Sequence, residues 1–261
     1  MKKLIILGAS NVTFSLPLIC RIISASSKSL ADPDPFHLLV AAGHGRSYCG
    51  ASKVLGRTLP SLINCRIWKK SRKLHNSYPE TRSLITDIGN DLLYGYSPEK
   101  IIASVSVCID RLLEHGDSSR VLLSLLPLES LSKMSPLQYH IARSILFPFR
   151  KHESIVSIME KVNELQEGLL LLEKKFKILT LTPPSTWYGI DPIHIKWSKR
   201  KVAWLEMLTQ NEELLPEESL SLSNSIKVYL QKPERRKILC IDQYTKQPCY
   251  SFGDVCKLYL F

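Results

Sequence analysis

The sequence lacks the short motifs that mark several large classes of protein. It contains no P-loop, no GxGxxG fingerprint, no Cys-x-x-Cys pair and no closely spaced cluster of cysteine and histidine. Its seven cysteines are an odd number without framework spacing, so neither a disulfide scaffold nor a structural zinc site is expected. The sequence therefore predicts reduced thiols, no metal and no cofactor.

Long hydrophobic runs are also missing. No apolar run approaches the roughly 18 residues that span a bilayer. The run Leu4–Leu7 is shorter than the roughly 7–15 residues of a signal-peptide core, and Gly8, Ser10 and Asn11 interrupt its continuation. The sequence thus predicts no membrane span, and a cytoplasmic location is expected.

The composition is ordinary for a globular protein, but the charge is basic. Hydrophobic residues make up 44% and charged residues 23% of the 261 positions, and the formal net charge is +11. Such a charge permits anionic partners, namely nucleic acid, acidic lipid surfaces or phosphorylated substrates. The basic runs are not interleaved with aromatic residues as in single-strand binding platforms, so a nucleic-acid partner is not expected. These runs are Lys69–Lys73, Lys196–Lys201 and Lys232–Lys237.

Short apolar runs alternate with helical patterns along the first 209 residues. The runs are rich in Val, Ile and Leu and do not strictly alternate with polar residues, as is typical of strands buried on both faces of a parallel sheet. The five predicted strands are Lys3–Leu7, His37–Ala42, Ser83–Ile88, Arg120–Leu126 and Phe176–Leu181, with Leu62–Trp68 as a weaker sixth candidate. The predicted helices are Ser97–Gly116, Ser135–Pro148, Glu153–Lys175 and Ser198–Leu208.

This alternation predicts right-handed βαβ units and an α/β fold. We expect a three-layer α/β/α sandwich of flavodoxin-like type around a mostly parallel, five-stranded sheet. After Thr209 the chain becomes acidic and serine-rich, and Ile226–Phe261 is basic and aromatic with two short strand-like runs. We therefore divide the chain into a main domain over residues 1–209 and an appendage over residues 210–261, and expect the main domain to fold without the appendage.

Four polar clusters follow predicted strands. "GASN" follows the first strand, "GHGRSY" the second, "TDIGND" overlaps the end of another, and "YGIDPIH" follows the last. Ligands bind outside the carboxyl ends of the strands in an open α/β sheet, so this topology would gather the four clusters at one edge.

The four clusters supply the parts of acyl transfer through serine. Ser10 offers a hydroxyl that needs a base, His194 could be that base, and Asp191 could orient its imidazole. Asn90 can donate a side-chain N–H to a developing oxyanion, and glycine in the second cluster lets a backbone N–H approach the same point. For each residue a plainer interpretation exists, since a serine after a strand often caps the next helix.

The order of the blocks resembles that of the SGNH (GDSL-type) hydrolase family. The resemblance covers roughly residues 1–209 and rests on "GAS", "GHG", "IGND" and "DPIH" in that order. It implies an ester hydrolase or acyltransferase that acts on a small-molecule, lipid or sugar ester, without metal or cofactor. The implied catalytic residues are Ser10, Asp191 and His194, and the implied oxyanion hole consists of Ser10, Gly45 and Asn90.

This chain departs from the family pattern at two positions. Ala9 stands where an acidic residue usually precedes the serine, and Ile88 stands where the asparagine block usually has glycine. The choice between Gly43 and Gly45 as the second oxyanion donor stays open, with Gly45 favoured because it lies further past the strand.

Four residues are candidates for a substrate pocket, each with plain packing or surface placement as the alternative. They are Gly43, His44, Tyr94 and Trp187. The alternative function for the whole chain is a non-catalytic α/β module that binds an anionic partner such as RNA through its basic surface.

Overall fold

The computed structural model describes residues 3–29, 36–54, 56–75, 81–114, 120–135, 154–209 and 222–261. Within these ranges the helices are α1 Ser10–Ser29, α2 Ile67–His75, α3 Asn90–Leu93, α4 Pro98–Leu113, α5 Leu128–Ser132, α6 Ile155–Phe176, α7 Arg200–Thr209 and α8 Leu222–Tyr229. The strands are β1 Lys3–Leu7, β2 Phe36–Ala41, β3 Ser52–Val54, β4 Arg57–Leu59, β5 Thr81–Ile85, β6 Arg120–Ser124, β7 Leu179–Leu181, β8 Arg235–Ile238, β9 Ile241–Tyr244, β10 Tyr250–Phe252 and β11 Cys256–Leu260.

A mixed sheet of seven strands forms the centre of the molecule. Its order is β10-β11-β2-β1-β5-β6-β7, and every neighbouring pair is parallel except β10 with β11. The α/β class and the mostly parallel sheet are confirmed. The predicted number of five strands is wrong, because the C-terminal segment adds β10 and β11 beside β2.

Helices cover both faces of this sheet and make the predicted three layers. One face packs against α2, α4 and α6, and the other against α1, α7 and α8. Successive residues of β1 show why its sequence does not alternate. Ile5 and Leu7 point into the first layer, whereas Leu4 and Ile6 point into the second, so both sides of the strand are apolar.

A second sheet of four antiparallel strands has the order β3-β4-β8-β9. Its first two strands follow the "GHGRSY" loop, and its last two come from the C-terminal segment. This sheet was not predicted, although one of the two strand-like runs of the C-terminal segment covers β9 and the end of β8. The run Leu62–Trp68, interpreted as a strand candidate, is instead a 3₁₀ turn over Leu62–Asn64 followed by α2.

The C-terminal segment is joined to the main sheet by its last strand. β11 pairs with β2 from Cys256↔Phe36 to Leu260↔Val40, and the Phe261 N–H donates to the Val40 carbonyl. The division of the chain near residue 209 stays a prediction, but this pairing is a reason to expect the two parts to fold together.

Two predictions from the sequence can be compared only with the residues that the structure describes. Almost all of the predicted helix Ser135–Pro148 lies outside the described residues. Among the described helices, none combines the length and apolar character needed to cross a bilayer.

Candidate active site

The nucleophile candidate lies where β1 ends. Gly8 and Ala9 follow the strand, and Ser10 opens α1. A Cβ added at Gly8 would lie 2.5 Å from a methyl group of Val12 and 2.9 Å from one of Thr86, so the tight turn excludes a side chain there. The turn therefore presents Ser10 at the carboxyl edge of the sheet, as the sequence predicted.

Ser10, His194 and Asp191 form a continuous hydrogen-bonded chain. The Ser10 Oγ lies 2.7 Å from His194 Nε2, and His194 Nδ1 lies 2.6 Å from Asp191 Oδ2. The other oxygen of Asp191 accepts the backbone N–H groups of Ile193 and His194 at 3.0 and 3.2 Å. The carboxylate thus fixes both the imidazole ring and the backbone that carries it.

The surroundings of Asp191 favour its ionised form. Burial opposes the charge, but the hydrogen bond and charge of His194 and the two backbone N–H groups outweigh it, so the pKa of Asp191 is lowered. An ionised Asp191 can hold a proton on Nδ1 of His194. That leaves Nε2 free to accept the proton of the Ser10 hydroxyl.

Asp87 supports the serine turn from the neighbouring strand. Its Oδ2 accepts the backbone N–H of Ala9 at 2.7 Å and that of Asn11 at 3.2 Å, and its Oδ1 accepts the side-chain amide of Asn11 at 2.7 Å. Asp87 adopts a left-handed backbone conformation with φ of 60°, which is sparsely populated for residues other than glycine. Loss of water around the carboxylate raises the pKa of Asp87, although the bonds from Asn11 and Ala9 oppose this rise.

Asn11 links the serine turn to the histidine segment. Its amide nitrogen also donates to the carbonyl of Ile193 at 2.9 Å, and its side-chain oxygen accepts the N–H of Ile195 at 2.9 Å. One side chain therefore ties together the two loops that carry the serine and the histidine.

The sequence analysis missed Asp87 and Asn11 as site residues. The signal for Asp87 was present, because Ala9 stands where an acidic residue is expected and "TDIGND" places an aspartate next to the site. Asn11 carried no signal beyond its position after the serine.

The glycine loop after β2 lies against the asparagine block. Gly45 adopts a φ of +64°, and a Cβ there would lie 2.6 Å from the Tyr94 hydroxyl, which donates to the Gly45 carbonyl. Asp91 accepts hydrogen bonds from the Ser47 hydroxyl and, at 2.9 Å, from the Tyr48 N–H. Steric limits therefore explain why Gly45 is glycine, and Asp91 fixes the loop to the block that carries Asn90.

His44 and His194 both contact the ring of Phe14, so His44 is not in a solvent-facing loop. The ring centroids of His44 and Phe14 are 4.7 Å apart, and those of Phe14 and His194 are 5.6 Å apart. Burial lowers the pKa of His44, and the charges of Arg57 and His194 lower it further. His44 is therefore kept neutral next to His194.

An apolar pocket lies next to Ser10. Ser10 and Asn90 contribute polar groups to its lining, and the pocket extends between α3, α5 and α6 over a volume of about 110 Å³. The deeper lining is apolar and includes Ile88, Leu92, Leu126, Ile158, Met159 and Val162. Of the four predicted pocket residues, Trp187 lies in this lining, whereas Gly43, His44 and Tyr94 lie in or against the glycine loop.

Within the described ranges, no group of three or more His, Cys, Asp or Glu side chains is placed to hold a metal ion.

The sequence matches no protein-family model and no curated protein sequence. The fold, in contrast, is similar to those of esterases. An inhibitor-bound aryl esterase of M. smegmatis matches with a TM-score of 0.51 at 15% identity over 82% of this chain and 100% of that chain. The esterase EstA from Pseudoalteromonas sp. matches with a TM-score of 0.47 at 11% identity over 80% of this chain and 98% of that chain. TesA matches with a TM-score of 0.46 at 14% identity over 82% of this chain and 99% of that chain.

The match to the aryl esterase and the parallel order β2-β1-β5-β6-β7 agree with the fold expected from the sequence blocks. The chain has the SGNH hydrolase fold.

Proposed function

We propose that this protein hydrolyses esters through an acyl-serine intermediate. The observation that carries the proposal is the 2.7 Å hydrogen bond between Ser10 Oγ and His194 Nε2, with Asp191 behind the imidazole at 2.6 Å. Ser10 Oγ attacks the ester carbonyl while His194 accepts the hydroxyl proton. His194 then gives this proton to the leaving oxygen, and Asp191 stabilises the imidazolium between the two steps.

Hydrolysis of the acyl-serine intermediate, which uses the same groups, regenerates the enzyme. His194 takes a proton from water, the resulting hydroxide attacks the acyl carbonyl, and the proton returns to Ser10 Oγ as the acid leaves. In both formation and hydrolysis of the intermediate, the negative charge on the carbonyl oxygen would be met by the Asn90 side-chain amide, the Ser10 backbone N–H and a backbone N–H of the glycine loop. We assign the last donor to Gly45.

The apolar pocket supports an ester with an apolar acyl group. In the acyl-serine intermediate, the acyl chain must extend from Ser10 while its carbonyl oxygen faces the oxyanion donors. Ser10 and Asn90 both line the pocket, and its deeper lining is aliphatic. His194, Phe14 and His44 lie together beside Ser10, and the leaving group must receive its proton from His194.

Hydrolysis of nitrophenyl esters of increasing acyl length tests this function. Each methylene that the pocket buries is worth about 0.8 kcal/mol, which corresponds to roughly a fourfold rise in kcat/KM. We expect octanoyl esters to react faster than acetyl esters. Met159→Trp, which fills the pocket from α6, should remove this preference and leave acetyl turnover within about threefold of wild type.

Leu171→Trp is the matched control, because Leu171 lies on the same helix but is exposed. It should leave the acyl-length profile unchanged. A flat profile in the wild type would reject the acyl pocket while leaving ester hydrolysis intact. Folded protein that hydrolyses no ester would instead favour the non-catalytic alternative.

A further inference from the structure

Two arginines project from the same face of the antiparallel sheet. The register pairs Arg57 on β4 with Ile238 on β8, and Arg236 lies two residues along β8 from that position. Residues two apart on a strand share a face, so Arg57 and Arg236 are diagonal neighbours. Burial lowers the pKa of Arg57, and the charge of Arg236 lowers it further, as expected for two cations at close range.

Neither guanidinium has an acidic partner among the described residues. Arg236 Nε donates to the side-chain oxygen of Gln243 at 3.0 Å, and Glu234, just before β8, pairs with Arg66 at 3.3 Å instead. Arg57 is half-buried. Two partly buried positive charges that repel each other destabilise a fold unless an anion is bound between them.

The arginine pair lies next to the glycine loop. A Cβ added at Gly43 would lie 3.6 Å from Arg57 Nη2 and 2.3 Å from Leu59 Cδ1, so the face that carries Arg57 and Leu59 packs on this loop. The charge of Arg57 also acts on His44, the next residue of the loop. The pair therefore lies beside the cluster of His44, Phe14 and His194, and neither arginine lines the apolar pocket.

We propose that Arg57 and Arg236 bind an anionic group, a phosphate monoester, on the leaving portion of the substrate. Guanidinium groups recognise phosphate through paired N–H donors, and two of them can share one phosphate. The position fits, since the leaving oxygen takes its proton from His194 and the arginine pair lies beside the cluster that contains His194. The assignment of this anion to the leaving group rests on the proposed function, whereas the anion site itself does not.

Thermal melting at constant ionic strength tests the anion site without any turnover. Glycerol phosphate should raise the Tm of the wild type by about 2–4 °C at a concentration a few times its Kd, and glycerol should not. Arg57→Gln should abolish this shift. Without ligand, Arg57→Gln should melt at or above the wild-type temperature, because it removes an uncompensated, half-buried charge.

Lys53→Gln is the matched control, because it removes one positive charge from the same sheet. The register pairs Lys53 with Thr58, so Lys53 points to the opposite face. This variant should keep the full shift with glycerol phosphate. An equal loss of the shift in both variants, or an Arg57→Gln protein that melts well below the wild type without ligand, would overturn the anion site.

Kinetics place the anion on the leaving group. The octanoyl ester of glycerol phosphate should show a kcat/KM roughly 10–100-fold above that of the octanoyl ester of glycerol, the range expected for hydrogen bonds to a charged group. Arg57→Gln should remove this preference and leave the neutral ester unaffected. Equal rates with the two esters in an active wild type would overturn the proposal while the hydrolase function stands, even if inorganic phosphate binds. Failure of the hydrolase function would appear as no turnover of either ester.

Discussion

The Asp87→Asn substitution tests whether the buried carboxylate of Asp87 positions Ser10, because asparagine has the same size but only one side-chain oxygen. In the wild type, one carboxylate oxygen accepts the N–H groups of Ala9 and Asn11, and the other accepts the Asn11 side-chain amide. If the new oxygen keeps the two backbone donors, the new amide nitrogen faces the amide nitrogen of Asn11. Two donors then meet, and the hydrogen bond between the side chains of residues 11 and 87 is lost.

The decrease in the free energy of unfolding can be worked out from these three hydrogen bonds. One hydrogen bond to a charged acceptor is worth about 1.5–3 kcal/mol, and the two that remain weaken because their acceptor becomes neutral. Removing the charge recovers part of the lost stability, since burial opposes the ionised form of Asp87. We expect the free energy of unfolding to fall by about 2 kcal/mol. A shift of about 1 Å in the serine turn should lower kcat by about 10²-fold.

Steady-state kinetics on an octanoyl ester, together with urea unfolding, measure both quantities. The loss should fall on kcat with little change in KM, because Asp87 supports the nucleophile and does not hold the acyl chain. Asp110→Asn on the exposed side of α4 is the matched control and should behave as wild type. An Asp87→Asn protein with kcat within threefold of wild type would refute the reasoning that this carboxylate positions Ser10.

Three further predictions concern the catalytic parts and the C-terminal strand. Ser10→Ala and His194→Ala should each lower kcat by several orders of magnitude, and the double variant should be little worse than either, because the two residues act as one unit; additive losses would contradict this. Asn90→Ala should lower kcat by about 10²–10³-fold with KM nearly unchanged, since it removes one oxyanion donor; a loss confined to KM would contradict the assignment. Deletion of residues 210–261 should abolish the cooperative unfolding transition in calorimetry. β11 and Phe261 bury four large side chains, and this burial contributes about 6–12 kcal/mol, as much as the stability of a whole domain. A cooperative transition in the truncated chain would contradict this expectation and would support the division at residue 209.

The parallel strands of the main domain and the four polar clusters could be predicted because their sequence patterns depend only on neighbouring residues. β1 shows as an apolar run that ends in a small residue and a serine, and its burial on both faces follows from its lack of alternation. Ser10 closely follows such a run, and Asp191 and His194 were predicted because their segment follows the last predicted strand in a recognisable order of blocks. The structure places these three residues in hydrogen-bond contact.

The parts that the sequence did not reveal depend on distant pairing. β11 joins β2 across more than half of the chain, and its own sequence reads only as a short apolar run. β4 and β8 pair across a similar distance, and the strand-like run that includes the end of β8 does not reveal its partner. Asp87 was missed for a related reason, since its bonds to Ala9 and Asn11 bridge two strands that are adjacent only in the folded sheet.

Covalent labelling of Ser10 is the most direct test of whether His194 activates the Ser10 hydroxyl as a nucleophile. A fluorophosphonate reacts with a serine only where a base activates the hydroxyl, so intact-protein mass spectrometry reports the activated Ser10–His194 pair without any assumption about the substrate. We expect a single adduct located on the Ser10 peptide, absent in Ser10→Ala and strongly slowed in His194→Ala. A folded wild type that takes up no label, or an adduct that persists in Ser10→Ala, would contradict this role of Ser10.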